Sequence, residues 1–178
     1  MNIRVKKGDL AETATEAAVV TRFEGEEGLS GVIENLDSLY GGLPRNIISR
    51  GDFTGRKHQV SVIYACGTQP VKRIVMVGLG KRSAFTLDTL RGAFSKAAQQ
   101  VRSLNVREFS TSIDLPGIDL AVDDLAEAVV EGVMLGLYQF TPFKTIDRDE
   151  IREVSDFSIV DADDAAVKKI RAAVKTAE

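Results

Sequence analysis

Cysteine, histidine and tryptophan are almost missing from this chain of 178 residues, which has one Cys, one His and no Trp. The single cysteine, Cys66, has no second cysteine to pair with, so an internal disulfide is excluded and a reducing cytoplasm is predicted. The single histidine, His58, limits catalysis as well, because a Ser-His-Asp arrangement would have to use this one residue.

The sequence also shows no apolar stretch that would indicate a membrane span or a secretory signal peptide. The N-terminus reads MNIRVKK and lacks the apolar stretch of a signal peptide. The most apolar window, residues 125–140, is shorter than a bilayer crossing and contains Glu127 and Glu131. We therefore expect a cytoplasmic protein with no membrane partner.

Basic charge is not in excess, since the net charge is −3 and the isoelectric point is near 5.3. No global positive field would recruit nucleic acid or an anionic membrane. The chain is 44% apolar and 28% charged, ordinary values that argue against a disordered chain. The length of 178 residues predicts a single domain covering the whole chain.

Apolar periodicity divides the chain into alternating strands and helices. The predicted strands are 3–5, 17–23, 73–77, 108–113 and 157–160, together with a hairpin of 47–48 and 59–66 joined by 51–56. Four helices are predicted. The first spans 29–39 and is stopped by the glycines and the proline of 41–44, and the second begins at Thr86. The third runs from Asp123 or Asp124 to about Phe140, and the last is capped by Asp163 or Asp164. A polar connection is expected over 141–152.

Two of these segments carry packing information. The run Ile74–Val77 is apolar on both faces, which is typical of a central strand covered by helices on both sides. In the third helix, Ala128, Gly132 and Gly136 recur every four residues and give a smooth face for close approach to a neighbour. The pattern predicts an α/β fold, a three-layer sandwich with a mixed, largely parallel sheet flanked by helices.

The glycine turn Gly78-Leu79-Gly80, followed by Lys81, lies where phosphate-binding loops occur, directly after a buried strand. The dinucleotide fingerprint and the P-loop both fail here, because Ser83 and Val75 stand at glycine positions of those motifs. Backbone amides of a Gly-x-Gly turn can still cradle an anion. Gly78, Gly80 and Lys81 are therefore the candidate ligand loop, and the alternative is a tight turn that needs glycine dihedral angles.

The other polar clusters have simpler interpretations. His58 is expected to be a solvated loop histidine, and Cys66 a small core residue; the alternative pairs them as a nucleophile and its base. The aspartates of 161–164 lack the glycine and glutamate of a calcium loop, so helix capping explains them better. No catalytic constellation and no metal site is predicted from the residues.

Three basic pairs are the only nucleic-acid signal. They are Arg56-Lys57, Lys72-Arg73 and Lys81-Arg82, and each flanks a predicted strand. If they converged they would line one edge of the protein and contact phosphates. Scattered pairs in an acidic chain are usually a solvated surface, so nucleic-acid binding is ranked last.

Several motifs in order resemble the amino-terminal domain of cytosolic leucyl aminopeptidases. They are RIVMVGLGK at 73–81, then FTLDTLR at 85–91, with GDFTG at 51–55 before them. The helix end VEGVMLGLYQF at 130–140, followed by Phe143-Lys144, resembles the family's Tyr-x-Phe and lysine pattern. Order and spacing agree from the first strand to the last helix.

The resemblance implies a macro-domain-like fold and a two-domain parent enzyme. In that family a larger catalytic domain holds two divalent metals, Zn or Mn, and removes N-terminal residues, often leucine, from peptides. The family's Asn-Thr-Asp-Ala-Glu-Gly-Arg signature occurs nowhere in the 178 residues, so no catalytic or metal residue is carried over. The expected partners are the catalytic domain of the same polypeptide and further copies in a homohexamer.

Three functions follow as hypotheses. The first is a non-catalytic N-terminal domain that helps assemble the oligomer or controls access to the active site. The second is a macro-domain-like module that binds a nucleotide or ADP-ribose at loops beyond the strand ends. The third is a nucleic-acid-binding accessory domain.

Overall fold

The computed structural model describes residues 1–29, 31–113, 115–139 and 153–177. The strands are β1 (Asn2–Lys7), β2 (Ala17–Phe23), β3 (Val60–Tyr64), β4 (Arg73–Gly80), β5 (Glu108–Thr111) and β6 (Asp156–Asp161). The helices are α1 (Gly31–Leu39), α2 (Leu43–Ser49), α3 (Leu87–Ser103), α4 (Val122–Leu137) and α5 (Asp164–Ala177). A short 3-10 helix spans Arg82–Ala84.

The described strands form one mixed sheet in the order β1-β6-β5-β2-β4-β3. β3 pairs with β4 in the antiparallel sense, and every other neighbouring pair is parallel. Parallel neighbours require crossover connections, and helices supply them here. The predicted α/β class with a mixed, largely parallel sheet is confirmed.

Two hydrophobic cores cover the two faces of the sheet. Val75 and Val77 of β4 pack in the first core, which includes residues of α3, α4 and α5. Ile74 and Met76 pack in the second core, which includes residues of α1 and α2. All four side chains are fully buried, so the prediction of a central strand covered on both faces is confirmed.

Helices α3 and α4 approach each other through glycine. A Cβ atom at Gly132 would lie 2.4 Å from the carbonyl oxygen of Arg91, and one at Gly136 would lie 2.5 Å from that of Ser95. Contacts this short would force the two backbones apart. The predicted smooth face of α4 is therefore confirmed, with α3 as the neighbour.

The predicted hairpin of Ile47-Ile48 with Gln59–Cys66 is wrong. Ile47 and Ile48 lie in α2, which Pro44 helps to begin at its first turn and which the left-handed Gly42 (φ 76°) precedes. Proline fixes φ near the helical value and lacks only an N–H that a first turn leaves unbonded, so it favours a helix start. The antiparallel partner of β3 is β4 instead.

The helix ends test the predicted caps. Thr86 caps α3 by accepting the N–H of Thr89, and Asp163 accepts the N–H groups of Ala165 and Ala166 at 3.2 Å each. The predicted cap at Asp123 or Asp124 is wrong, because α4 begins at Val122 and both aspartates lie in its first turn. Carboxylates in a first turn still interact favourably with the helix dipole.

Helix α4 is shorter than predicted, and no described helix is long and apolar enough to cross a membrane. Helix α4 ends at Leu137, whereas Phe140 and the predicted polar connection of 141–152 lie outside the described residues. None of the helices in the described part of the chain combines the length and the hydropathy that a bilayer crossing requires.

Candidate functional site at the carboxyl ends of the strands

The predicted ligand loop is the end of a strand. β4 continues through Gly78 to Gly80, where a turn was expected. The N–H of Gly78 donates to the carbonyl of Gln59 at 2.8 Å, and the N–H of Gly80 donates to the carbonyl of Gly55 at 2.8 Å. Of the three candidate residues only Lys81, which is exposed, offers a side chain to an anion. The ligand role of this loop stays a prediction.

These glycines let two stretches of backbone pack closely. A Cβ atom at Gly78 would lie 2.0 Å from the carbonyl oxygen of Arg56, and one at Gly55 would lie 2.4 Å from that of Phe23. The chain around Gly55 therefore lies directly on the ends of β2 and β4. Gly80 also has a positive φ of 75°, which glycine adopts without strain.

His58 is not the solvated loop histidine that was predicted. Its side chain is half-buried against Gly92 of α3, and its Nε2 is buried with no hydrogen-bond partner among the described residues. Burial lowers the pKa of His58 from 6.5, and the nearby charges of Lys57 and Lys96 lower it further. A neutral imidazole is the form that this setting stabilises.

Cys66 is exposed, so its prediction as a small core residue is wrong. It follows β3, whereas His58 precedes that strand. An extended strand advances roughly 3.3 Å per residue, so the two side chains stand at opposite ends of β3. The cysteine-histidine pair considered as an alternative is not formed.

The basic pairs do not converge. Arg56-Lys57 lies beside Gly80 at the carboxyl end of β4, next to Lys81-Arg82. Lys72-Arg73 lies at the opposite end of the same strand, where the guanidinium of Arg73 stacks on the ring of Tyr64 at 5.8 Å. A phosphate backbone following one edge of the protein would not contact all three pairs.

The aspartates of segment 161–164 lie just before and at the start of α5, where they bond backbone N–H groups and a lysine. Asp161 accepts the N–H of Asp163 at 2.8 Å, and Asp164 pairs with Lys7 at 2.6 Å. In the described ranges, no group of three or more His, Cys, Asp or Glu side chains is placed to hold a metal ion.

A crevice lies at the carboxyl ends of the neighbouring strands β2 and β5. The helices that follow these two strands pack on opposite faces of the sheet. β2 leads to α1, which packs in the second core, and β5 leads to α4, which packs in the first. Ligands of open α/β sheets bind outside the carboxyl ends of strands at such a switch point. Here the crevice retains a cavity of only about 20 Å³, lined in part by Phe23 and Pro116.

Arg82 bridges residues that line this crevice. Its guanidinium forms an ion pair with Glu26, donates to the carbonyl of Pro116, and lies 4.2 Å from the centre of the Phe23 ring. The loops that follow β2, β4 and β5 are thereby tied together by one side chain. We call Arg82, Glu26 and Pro116 the crevice latch.

A buried arginine, Arg22, holds the turn that carries Glu26 of the latch. Arg22 of β2 is only 4% exposed, and its guanidinium donates to the backbone carbonyls of Glu26 and Gly28. This bonding fixes the turn that presents Glu26 to Arg82. Sequence reasoning considered Arg82 only as part of a basic pair and missed Arg22, although a charged residue inside the apolar run of 17–23 was a signal that it needed buried partners.

A larger cavity of about 350 Å³ opens beside the crevice, at the ends of β1 and β6. Its lining includes the acidic residues Asp9, Glu34 and Asp161, and no lysine or arginine is among the described residues that line it. Asp9 accepts hydrogen bonds from the N–H of Ala11 and from Asn35 at 2.8 Å each. The charge of this cavity favours neutral or cationic groups over phosphates.

Comparison with solved structures assigns the fold. A tomato leucine aminopeptidase mutant superposes with a TM-score of 0.74 and 20% identity, covering 97% of this chain and 35% of that chain. A Trypanosoma brucei macrodomain superposes with a TM-score of 0.73 and 11% identity, covering 97% of this chain and 66% of that chain. The predicted macro-domain-like architecture is confirmed.

Sequence comparison assigns the family. The profile described as cytosol aminopeptidase family, N-terminal domain, matches residues 19–147. A "Probable cytosol aminopeptidase" from Roseiflexus castenholzii is 34% identical over 174 residues, which are 96% of this chain and 33% of the relative. A protein of the same name from Geobacter sp. (strain M21) is 31% identical over 150 residues, 84% of this chain and 30% of the relative. The chain thus spans about a third of the length of these curated relatives. It belongs to the cytosol aminopeptidase family and corresponds to the N-terminal domain of that family.

Proposed function

We propose that residues 1–178 act as the non-catalytic N-terminal domain of a metal-dependent aminopeptidase that removes N-terminal residues from peptides in the cytoplasm. The family assignment and the coverage of about a third of the relatives support this proposal. The two divalent metals, Zn or Mn, would then be held by a catalytic domain of the same polypeptide. The N-terminal domain would support a homohexamer or control access to the active site.

The observation that carries the assembly role is an apolar patch at the end of α4. Leu135 and Tyr138 are 69% and 71% exposed, and Met134 beside them is 40% exposed. Neighbouring exposed apolar side chains of this size are typical of a surface that packs against another domain or subunit. We call these three residues the α4 patch, and we propose it as the contact with the rest of the enzyme.

The size of the native product tests the two-domain proposal first. An antibody raised against this chain should detect a polypeptide far larger than 19.3 kDa in source cells. A product of 19.3 kDa would overturn the proposal and would make the binding-module hypothesis the leading one.

The α4 patch is tested in that full-length protein. The double substitution Leu135→Glu and Tyr138→Glu should reduce the assembled mass measured by light scattering, because charged side chains oppose burial of the patch. The control is Leu120→Glu, which places one such charge at another exposed leucine outside the patch. An oligomer that is unchanged by the double substitution would show that the α4 patch is not the contact.

The isolated chain is expected to show no peptidase activity. Leucyl-p-nitroanilide incubated with residues 1–178 and Zn²⁺ or Mn²⁺ should remain uncleaved, since two-metal hydrolysis needs several converging ligands. Turnover that is proportional to protein concentration and survives repurification would contradict this expectation.

A second proposal is a nucleotide-type ligand in the larger cavity. It is supported by the fold likeness to a Trypanosoma brucei macrodomain solved in complex with ADP, with a TM-score of 0.71 at 11% identity. The carboxylates of Asp9, Glu34 and Asp161 oppose a pyrophosphate there, so a ligand would have to bind through its base or ribose. This opposition is the reason that the assembly role is placed first.

Thermal unfolding separates the two proposals. ADP-ribose at millimolar concentration should raise the melting temperature if it binds the folded chain, by linkage. Asp9→Asn should enlarge that rise, because it removes a negative charge that opposes the pyrophosphate, while Lys81→Ala, a change outside the cavity lining, leaves the rise unchanged. The absence of any rise with the unmodified chain would end the nucleotide proposal and leave the assembly proposal untouched.

A further inference from the structure

Strand β1 is an open edge of the sheet, and its hydrogen-bonding pattern can be read from its two ends. The N–H of Asn2 donates to the carbonyl of Ser155, and the N–H of Gly8 donates to that of Asp161, both on the β6 side. Because consecutive residues of a strand alternate their bonding direction, the backbone groups of Ile3 and Val5 face away from β6. Both residues therefore present N–H and C=O groups at the edge.

A groove of about 470 Å³ runs along this edge between β1 and α5. Ile3, Val5 and Val174 give it apolar walls. Three cations, Lys168, Arg171 and Lys175, also line the groove and follow one flank of α5 at helical spacing.

The cations of this groove are not neutralised inside the described part of the chain. Lys168 and Lys175 have no carboxylate within ion-pair distance there, in contrast to Lys7 and Arg4, which pair with Asp164 and Asp156. Arg171 donates to the carbonyl of Val5 at 3.3 Å and so reaches the edge itself. The groove therefore combines backbone groups that no neighbouring strand pairs, apolar walls and an uncompensated positive flank, and an added strand would replace Arg171 at the carbonyl of Val5.

We propose that this β1–α5 groove binds an extended acidic segment of a separate polypeptide, which adds to the sheet as a further strand beside β1. Strand addition uses main-chain hydrogen bonds for affinity and pockets for alternate side chains for specificity. The residues of the segment that face α5 would include apolar side chains, which pack on Ile3 and Val5, and carboxylates, which pair with Lys168, Arg171 and Lys175. This interaction goes beyond the proposed function, because the groove involves neither the α4 patch nor the crevice.

The alternative is that the cations only protect the edge, because lysine beside an edge strand is a common defence against unwanted pairing. The experiment uses the 178-residue chain and a capped peptide of the repeat Val-Ser-Glu-Ser, because alternate residues of a strand share one face and both valine and glutamate must face α5. The peptide should bind in a salt-dependent manner, and the amides of Ile3 and Val5 should shift in NMR spectra and become protected from hydrogen exchange. A capped peptide of the repeat Val-Ser-Lys-Ser should not bind.

Charge reversal gives the matched comparison. Lys168→Glu should weaken binding of the acidic peptide about tenfold, whereas Lys169→Glu, the next residue on the same helix but outside the groove, should change it less than about twofold. Equal effects of the two substitutions, or no binding by the unmodified chain, would overturn the proposal. Self-association of the chain that Lys168→Glu abolishes would overturn it as well, since the occupant would then be a second copy.

Discussion

The imidazole of His58 lies on Gly92 of α3 so closely that a Cβ atom at position 92 would stand 2.5 Å from Nε2. His58 holds this place with a left-handed φ of 61°, which is uncommon for a residue with a side chain. The left-handed backbone of His58 therefore accompanies a ring position that only a residue without a side chain at 92 leaves free. Between them they anchor the segment before β3 to α3.

Replacing Gly92 with alanine should destabilise the fold by about 1–2 kcal/mol, because overpacking against the ring exceeds the helix-propensity gain of about 1 kcal/mol. In a His58→Gly background the same substitution should be stabilising by about 0.5–1 kcal/mol, since the ring is gone and only the propensity remains. Denaturant unfolding of the four proteins gives the coupling energy. A coupling below about 0.5 kcal/mol would show that the ring moves aside freely.

The folded state should lose stability as the pH falls below about 6.5. Burial and the charges of Lys57 and Lys96 lower the pKa of His58 in the folded chain, so the unfolded chain takes up the proton first. This contribution is fully present above the unfolded pKa of 6.5 and is lost below it, towards the lower folded pKa. Urea midpoints between pH 5 and 8 should decline more steeply for the unmodified chain than for His58→Gly. Parallel curves would contradict this assignment.

Gly136→Ala should destabilise the protein by about 2–3 kcal/mol, because the new methyl group would meet backbone of α3 that cannot rotate away. The contact is 2.5 Å from the carbonyl oxygen of Ser95. The control on the same helix is Met134→Ala, which truncates an exposed side chain and should cost less than about 0.5 kcal/mol. Thermal or urea unfolding measures both. Equal stability of the two variants would mean that α3 and α4 separate at little cost.

Arg82→Ala should open the crevice latch. The substitution removes the ion pair with Glu26, the hydrogen bond to Pro116 and the contact with the Phe23 ring, and it should cost about 1 kcal/mol. Amide exchange should accelerate in the turn 24–28 and around Pro116, because these loops lose their common partner. Lys81→Ala, its exposed neighbour, should leave exchange unchanged. Identical exchange in both variants would show that the loops are held without the latch.

Local patterns in the sequence determined most of the elements. The apolar run of β4, the Thr86 cap of α3 and the small-residue face of α4 were all predicted, because backbone sterics, capping and helix periodicity act between near neighbours. The motifs of residues 51–91 and 130–140 also carried the family resemblance. Where local signals conflicted, the prediction failed: Ile47-Ile48 suits a strand by its side chains, but the Gly42–Pro44 signal begins a helix there.

The tertiary structure alone decided how distant segments share space. Gly78 is required by the backbone of Arg56 passing over it, and His58 is half-buried because Gly92 of α3 leaves room for its ring. Beside the crevice, Arg82 joins loops that follow three different strands. These relationships depend on which strand lies beside which, and parallel pairing brings together residues far apart in the chain. A sequence pattern reflects the conformational preferences of residues that are close in the chain, whereas contacts between distant segments form only when the whole sheet is assembled.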